Sequence, residues 1–467
     1  MHSKTLFATA VVAVALAPFA SAASDSDMQQ LRDEVTALRA DYEARIAALE
    51  ARLSAAETAV QNEIPSEPAP FAQQAEPAAP TGGSSAGNEF NPAASLILTG
   101  TYGDLSESPS TYQIGGFVPT NGDVGPPGRS FQLGESELTL SANIDPYFSG
   151  YFVAAFDANG DTSVEEAYVS NVGLVPGATI RFGRFLSNFG YLNDIHAHAW
   201  DFVDAPLALQ AFFGGQLHQD GIQARWVAPT ALLLEFGVEA GLGDSFPGTD
   251  RDNNGMNALL AFAHLGGDVG FSNSYLIGAT LYRSRARDRT YQDLDAIGNE
   301  VTDAFTGDTD MWGLDFVWKW SPEGNPVERN LKVQAEYFHR NENGSLTFDQ
   351  NGPQNATGSY NSDQDGWYAQ AVYQFMPRWR IGARYDHLDS GSTAIGLVHS
   401  GDLPAADFPI LADHDPRRTT TMIDFSPSEF SRLRLQYAWD QSRFTDTDDE
   451  LLLQYIMSLG VHGAHKF

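Results

Sequence analysis

Cysteine is missing from all 467 residues. That excludes a disulfide framework and any thiolate metal site. Positive charge is scarce, with 27 Lys and Arg against 60 Asp and Glu and a formal net charge of -33. A nucleic-acid partner is thereby excluded, because its phosphates would be repelled. Beyond the N-terminal leader no apolar run is long enough for a membrane-spanning helix. Residues 186–219 contain neither Lys nor Arg. Aromatics are plentiful at 12%, and there are 43 glycines, a composition that favours strands and turns over helices.

The chain divides by pattern. Residues 1–22 read as a secretory signal, with Lys4, the apolar run LFATAVVAVALAPFA and the small residues Ala20-Ser21-Ala22 before the cleavage point. Residues 23–61 read as a coiled-coil helix whose stripe runs through Leu31, Val35, Leu38, Tyr42, Ile46, Leu49, Leu53, Ala56 and Val60. Two successive steps of four, around Tyr42, put one stutter in that stripe. Residues 62–92 form a Pro/Ala/Gly-rich linker that cannot build a core.

From residue 93 to 467 the period changes to two. In SELTLSANI, Leu138, Leu140, Ala142 and Ile144 point one way and Glu137, Thr139, Ser141 and Asn143 the other. LRLQYAWD sets Leu433, Leu435, Tyr437 and Trp439 against Arg434, Gln436 and Asp440. About sixteen such strands are expected, and their connections are sorted by parity. Tight turns lie near 145, 173, 228, 266, 376 and 426, and long polar loops cover 105–130, 186–219, 242–255, 286–309, 341–363 and 390–415. A soluble sandwich has no reason to sort loops this way. A bilayer does, because every backbone polar group inside it must pair and the sheet must close. Trp312, Trp318, Trp320, Trp367, Tyr373, Phe375, Trp379, Tyr385 and Trp439 fall where interfacial girdles belong. The expected fold is all-β: a transmembrane antiparallel β-barrel of about sixteen strands, preceded by a short coiled coil, in the outer membrane of a Gram-negative bacterium and in contact with its lipid. The C-terminal Phe467, after an alternating strand, resembles the signal read by the barrel-assembly machinery.

RFGRFLSNFGYLN (181–193), FVDAPLALQAFFGGQLHQDGIQARW (202–226) and GWYAQAVYQFMPRWRIGARYD (366–386) resemble segments of the phosphate-selective porin family. A coiled coil ahead of such a barrel is similar to the trimeric channels of the DcaP-like and sucrose-porin types. The resemblance implies passive diffusion of small hydrophilic solutes, anionic ones included, through a homotrimer without cofactors.

The third long connection, 186–219, carries Trp200, Phe202, Val203, Leu207, Leu209, Phe212 and Phe213. An exposed loop would rarely hold so many apolar side chains, so the segment is expected to fold inward as a constriction. Within it DIHAHAWDF and the residues after it supply Asp194, His196, His198, Trp200, Asp201 and Asp204. Arg181, Arg225, Arg380, Arg384, Arg418, Arg432 and Arg434, together with Glu135 and Glu137, are expected to line the pore. Arginines opposite acidic loop residues would set a transverse field that selects solutes. No metal is expected, the alternative being a site formed by His196, His198 and Asp201. No Ser/His/Asp constellation has local support, so an enzyme is not expected. The competing readings are a plugless substrate-specific receptor or transporter for a metal or siderophore, and a structural anchor with a periplasmic coiled coil.

Overall fold

The structure, a computed structural model, describes residues 92–460 apart from 121, 123, 158, 159, 172, 174 and 250–253. The signal, the coiled coil, the linker up to residue 91 and Phe467 lie outside the described residues.

The described chain forms one closed antiparallel sheet. Its first segments are β1 (Ala93–Leu105), β2 (Ser130–Leu133), β3 (Ser136–Asn143), β4 (Phe148–Phe156), β5 (Thr162–Asn171) and β6 (Ala178–Leu186). There follow β7 (His218–Val227), β8 (Leu233–Gly241), β9 (Ala258–Val269), β10 (Asn273–Leu294), β11 (Glu300–Trp320) and β12 (Asn330–Phe348). The last are β13 (Ala356–Met376), β14 (Trp379–Ile395), β15 (Arg417–Ser428), β16 (Ser431–Gln441) and β17 (Asp448–Gly460). Both β2 and β3 pair with β1, at Gly100–Gly103 and Ala93–Ile97 respectively. They are therefore two parts of one stave broken at Gly134-Glu135, and seventeen segments make a barrel of sixteen staves. Closure comes from β1 and β17, which pair continuously from Ser95↔Gly460 to Leu105↔Glu450.

The surface explains why closure is required. Outward side chains are apolar and exposed, among them Leu281 at 65%, Leu314 at 50% and Leu435 at 45%. Their inward neighbours on the same strands are polar and buried: Ser284, Asp315, Arg434 and Gln436. A soluble barrel would be inverted. This one is solvated by lipid outside, so it is a transmembrane barrel. Aromatic pairs mark the two rims, with Trp367 on Tyr385 at one level and Trp379 stacked on Phe425 at the other. At one tight turn the Asp145 carboxylate accepts from the Tyr147 and Phe148 amides, an Asx-type closure that explains the break there.

Two expectations about the loops are corrected. Residues 286–309 and 341–363 are not simply loops, because β10–β13 run on through much of them and are 22, 21, 19 and 21 residues long. A membrane strand needs only about 9–11 residues, so these hairpins project beyond the bilayer. Polar residues on their outer face weaken the alternation, while Tyr291, Val301, Phe305, Leu346, Phe348 and Tyr360 keep the inner face apolar. Parts of 105–130 and 390–415 likewise do not stay outside. Ile114 and Phe117 join one buried cluster, and Phe408, Ile410 and Leu411 join another.

Candidate functional site: a loop tied to two sectors of the wall

The connection between β6 and β7, residues 187–217, runs through the barrel interior. Its two ends meet, because the Ser187 amide donates to the Leu217 carbonyl at 2.9 Å. Asn193 ties the neck, its Nδ2 donating to the Ser187 and Leu217 carbonyls and its Oδ1 accepting from the Leu217 amide at 2.7 Å. The entry stretch docks on buried acids of the wall. The Asn188 amide donates to Glu239 at 2.9 Å, and the Leu192 amide to Glu336 at 2.9 Å.

Gly190 makes that entry possible. Its φ is +70°, and a Cβ there would collide with the Glu336 carboxylate. Gly190→Ala is expected to cost roughly 1–3 kcal/mol of local strain and to loosen the loop. Limited proteolysis of the folded barrel, with faster cleavage between residues 190 and 216 in the variant, checks this.

The descending half of the loop is apolar. Helix α1 (Leu207–Phe213) is buried at every residue. It ends on Gly214 at φ +73°, whose amide returns to the Gln210 carbonyl at 3.0 Å, while Gly215 returns to Leu209 at 3.2 Å. Leu207, Leu209, Phe212 and Phe213 pack with Phe117, Phe189, Tyr282, Phe338 and Leu388. Burying each such side chain contributes roughly 1.5–3 kcal/mol, enough to hold the segment inside.

Polar residues of the loop divide between two sectors. Asp201 accepts from Lys332 at 2.9 Å and Arg380 at 3.0 Å. Asp204 is ion-paired with Arg418 at 2.5 Å and accepts from Arg384 at 3.2 Å and Gln436 at 2.6 Å. The Trp200 carbonyl accepts from Arg432 at 3.1 Å and Arg434 at 2.7 Å, while the Trp200 ring donates to the Ile195 carbonyl. Burial alone would raise both aspartate pKa values. Lys332 and Arg380 at Asp201, and Arg418 and Arg384 at Asp204, outweigh it and hold both carboxyls below their usual range.

On β3 and β5 the partners are acidic. His196 Nδ1 lies 3.1 Å from Glu165 and 3.3 Å from Glu137, and Nε2 lies 2.8 Å from Glu166. His198 Nδ1 lies 2.6 Å from Glu137, and the two imidazoles stack at 5.8 Å. Burial would lower the His196 pKa, but Glu137 and the contacts with Glu165 and Glu166 outweigh it and raise it well above the usual value. Asp194 is raised by burial, against Arg181 and Arg225.

Arg380, Arg384, Arg418, Arg432 and Arg434 do converge, but behind the loop, at 0–7% exposure. Asp424 and Asp386 on the same wall complete the pairing, for example Arg380–Asp424 and Arg384–Asp386 at 3.0 Å each. Arg181 lies apart, 4.8 Å from the Tyr168 ring, and Arg225 is held by Glu235 at 2.6 Å. Glu137 is in the histidine cluster, and Glu135 sits at the break between β2 and β3. His196, His198 and Asp201 are not brought together as one ligand set, since Asp201 turns to Lys332 and Arg380. Sequence reading missed Glu165 and Glu166. Adjacent strand residues should face opposite sides, but a bulge opposite Val153/Ala154 leaves Glu165 unpaired, and both carboxylates reach the loop.

No family model matches the chain. Its fold is similar to that of solved outer-membrane proteins at low identity. A loop L8 deletion mutant of OmpT from Vibrio cholerae aligns with 14% identity and a TM-score of 0.48, covering 79% of this chain and 99% of that one. The outer membrane channel DcaP of Acinetobacter baumannii aligns with 14% identity and a TM-score of 0.47, covering 79% and 97%. A protein of Aquifex aeolicus (strain VF5), named only as an uncharacterized protein, is 32% identical over 357 residues, 73% of this chain and 70% of its own length. At that identity and coverage, the chain belongs to the same family as this Aquifex protein.

Proposed function

We propose that the protein is a narrow outer-membrane channel for passive diffusion of small hydrophilic solutes. The observation that carries this is a lipid-facing barrel with polar inward positions and a loop fastened across its interior. An anchor needs the first feature but not the second. Along the loop Tyr191 and Asp194–Ala199 stay half-buried, as does Lys332 on the wall. Solutes pass beside this strip, with His196 and His198 at its edge. The five wall arginines and Lys332 face five carboxylates, Asp201, Asp204, Asp386, Asp424 and Asp440, so the cations of this sector outnumber these partners by only one. That balance supports selection by size more than by anionic charge. The heptad-like stripe of residues 23–61 supports self-association, and the resemblance to trimeric channels makes a homotrimer its proposed form.

Liposome swelling with sugars of graded size is the test. Swelling is expected with the smallest sugars and to fall off steeply with size, and bilayer recordings should show small, uniform steps. A folded barrel that gives neither swelling nor steps would leave the anchor reading in its place.

A further inference from the structure

We propose that Glu137, Glu165 and His196 form a binding site for a first-row divalent cation such as Zn²⁺, which joins the interior loop to β3 and β5. This goes beyond the channel reading and stands whether or not solutes pass.

Three observations converge. First, His196 Nδ1 faces Glu165 Oε2 at 3.1 Å and Glu137 Oε2 at 3.3 Å, and the ligand atoms all lie within 4.8 Å of one another. Both carboxylate oxygens thus face one imidazole nitrogen, and a single N–H can at best be shared between them. A cation in the proton's place satisfies both. With bonds of about 2.0–2.1 Å, tetrahedral ligand atoms lie about 3.3 Å apart, close to the two nitrogen–oxygen spacings here.

Second, the opposite ring nitrogen is already engaged. Nε2 lies 2.8 Å from Glu166, and the Leu186 amide donates to that same Glu166 side chain at 3.3 Å. A carboxylate accepting the far N–H of a histidine fixes the tautomer and presents the near nitrogen's lone pair to a metal. Third, Glu137 is oriented from behind by His198 Nδ1 on its other oxygen at 2.6 Å. The donor set of one imidazole and two carboxylates suits Zn²⁺ and its neighbours rather than a soft ion. Three protein ligands leave a coordination position for water, and His196 is half-buried rather than sealed.

The test is calorimetric titration of Zn²⁺ alone into the detergent-solubilised full chain carrying no histidine tag, with heat-modifiable gel migration as the check on folding. Saturable binding of one ion per chain is expected. H196Q, E137Q and E165Q should each weaken it at least about a hundredfold, while E166Q weakens it by about 10–100-fold and keeps the stoichiometry. Absence of saturable binding by the folded wild-type chain overturns the proposal, even where a variant fails to fold. Binding that survives unchanged in folded H196Q and E137Q overturns it equally.

Discussion

Excising residues 189–215 and closing the gap with a short Asn/Gly turn is expected to raise single-channel conductance several-fold. The geometry permits the cut. Leu186 pairs with His218, and the Ser187 amide donates to Leu217, so β6 and β7 are already in hairpin register at the loop's neck. What would be lost is the mass inside the barrel: the buried helix Leu207–Phe213, the Trp200–Asp204 arm on the arginine wall and the histidines on the acidic wall. A sixteen-strand barrel relieved of such a segment leaves an aqueous channel. Planar-bilayer recording of the folded variant checks the result. Conductance equal to that of wild type would mean that residues 189–215 are not the restriction and that the segments containing Phe117 and Ile410 close the barrel instead.

The barrel was legible in the sequence because its rule is short-range. Period-two alternation shows itself in any window of ten residues, and Ser136–Asn143 and Ser431–Gln441 are strands where SELTLSANI and LRLQYAWD predict them. The apolar content of 186–219 also pointed inward, since Phe202, Leu207 and Phe212 have nowhere else to be buried. Partnership was not legible. That Asp204 meets Arg418 depends on residues 214 positions apart and on stave order around a closed ring. Glu165 and Glu166 escaped because a bulge breaks the alternation on which the reading relied. The projecting hairpins of β10–β13 escaped for the opposite reason: outside lipid their outer faces turn polar, and period-two contrast fades although the ladder continues.

Replacing Asp201 and Asp204 together by Ala is expected to loosen the loop on the arginine wall, leaving only backbone contacts such as those of the Trp200 carbonyl, and to shift reversal potential toward anions. In the wild type five guanidinium groups and Lys332 face five carboxylates; in the double variant the same six cations face three, Asp386, Asp424 and Asp440. Arg384 and Arg418, at 2% and 0% exposure, would lose their loop counter-charge inside the barrel. Removing one partner of a buried pair costs about 3–5 kcal/mol, so the arm from Trp200 to Asp204 gives way before the barrel does. The pH dependence has a definite sign. Both carboxyls are held below their usual range, so their contribution is complete above the unfolded aspartate value of about 3.9 and is lost only as pH falls through the depressed folded values. The contribution of these two carboxyls to wild-type selectivity should therefore stay constant from neutral pH down to about pH 4.5 and be lost only in stronger acid. The double variant should show the anionic preference already at neutral pH. Reversal potentials in a salt gradient measure both, and an unchanged potential in a folded double variant would show that the Asp201 and Asp204 pairs do not set the charge of the pathway.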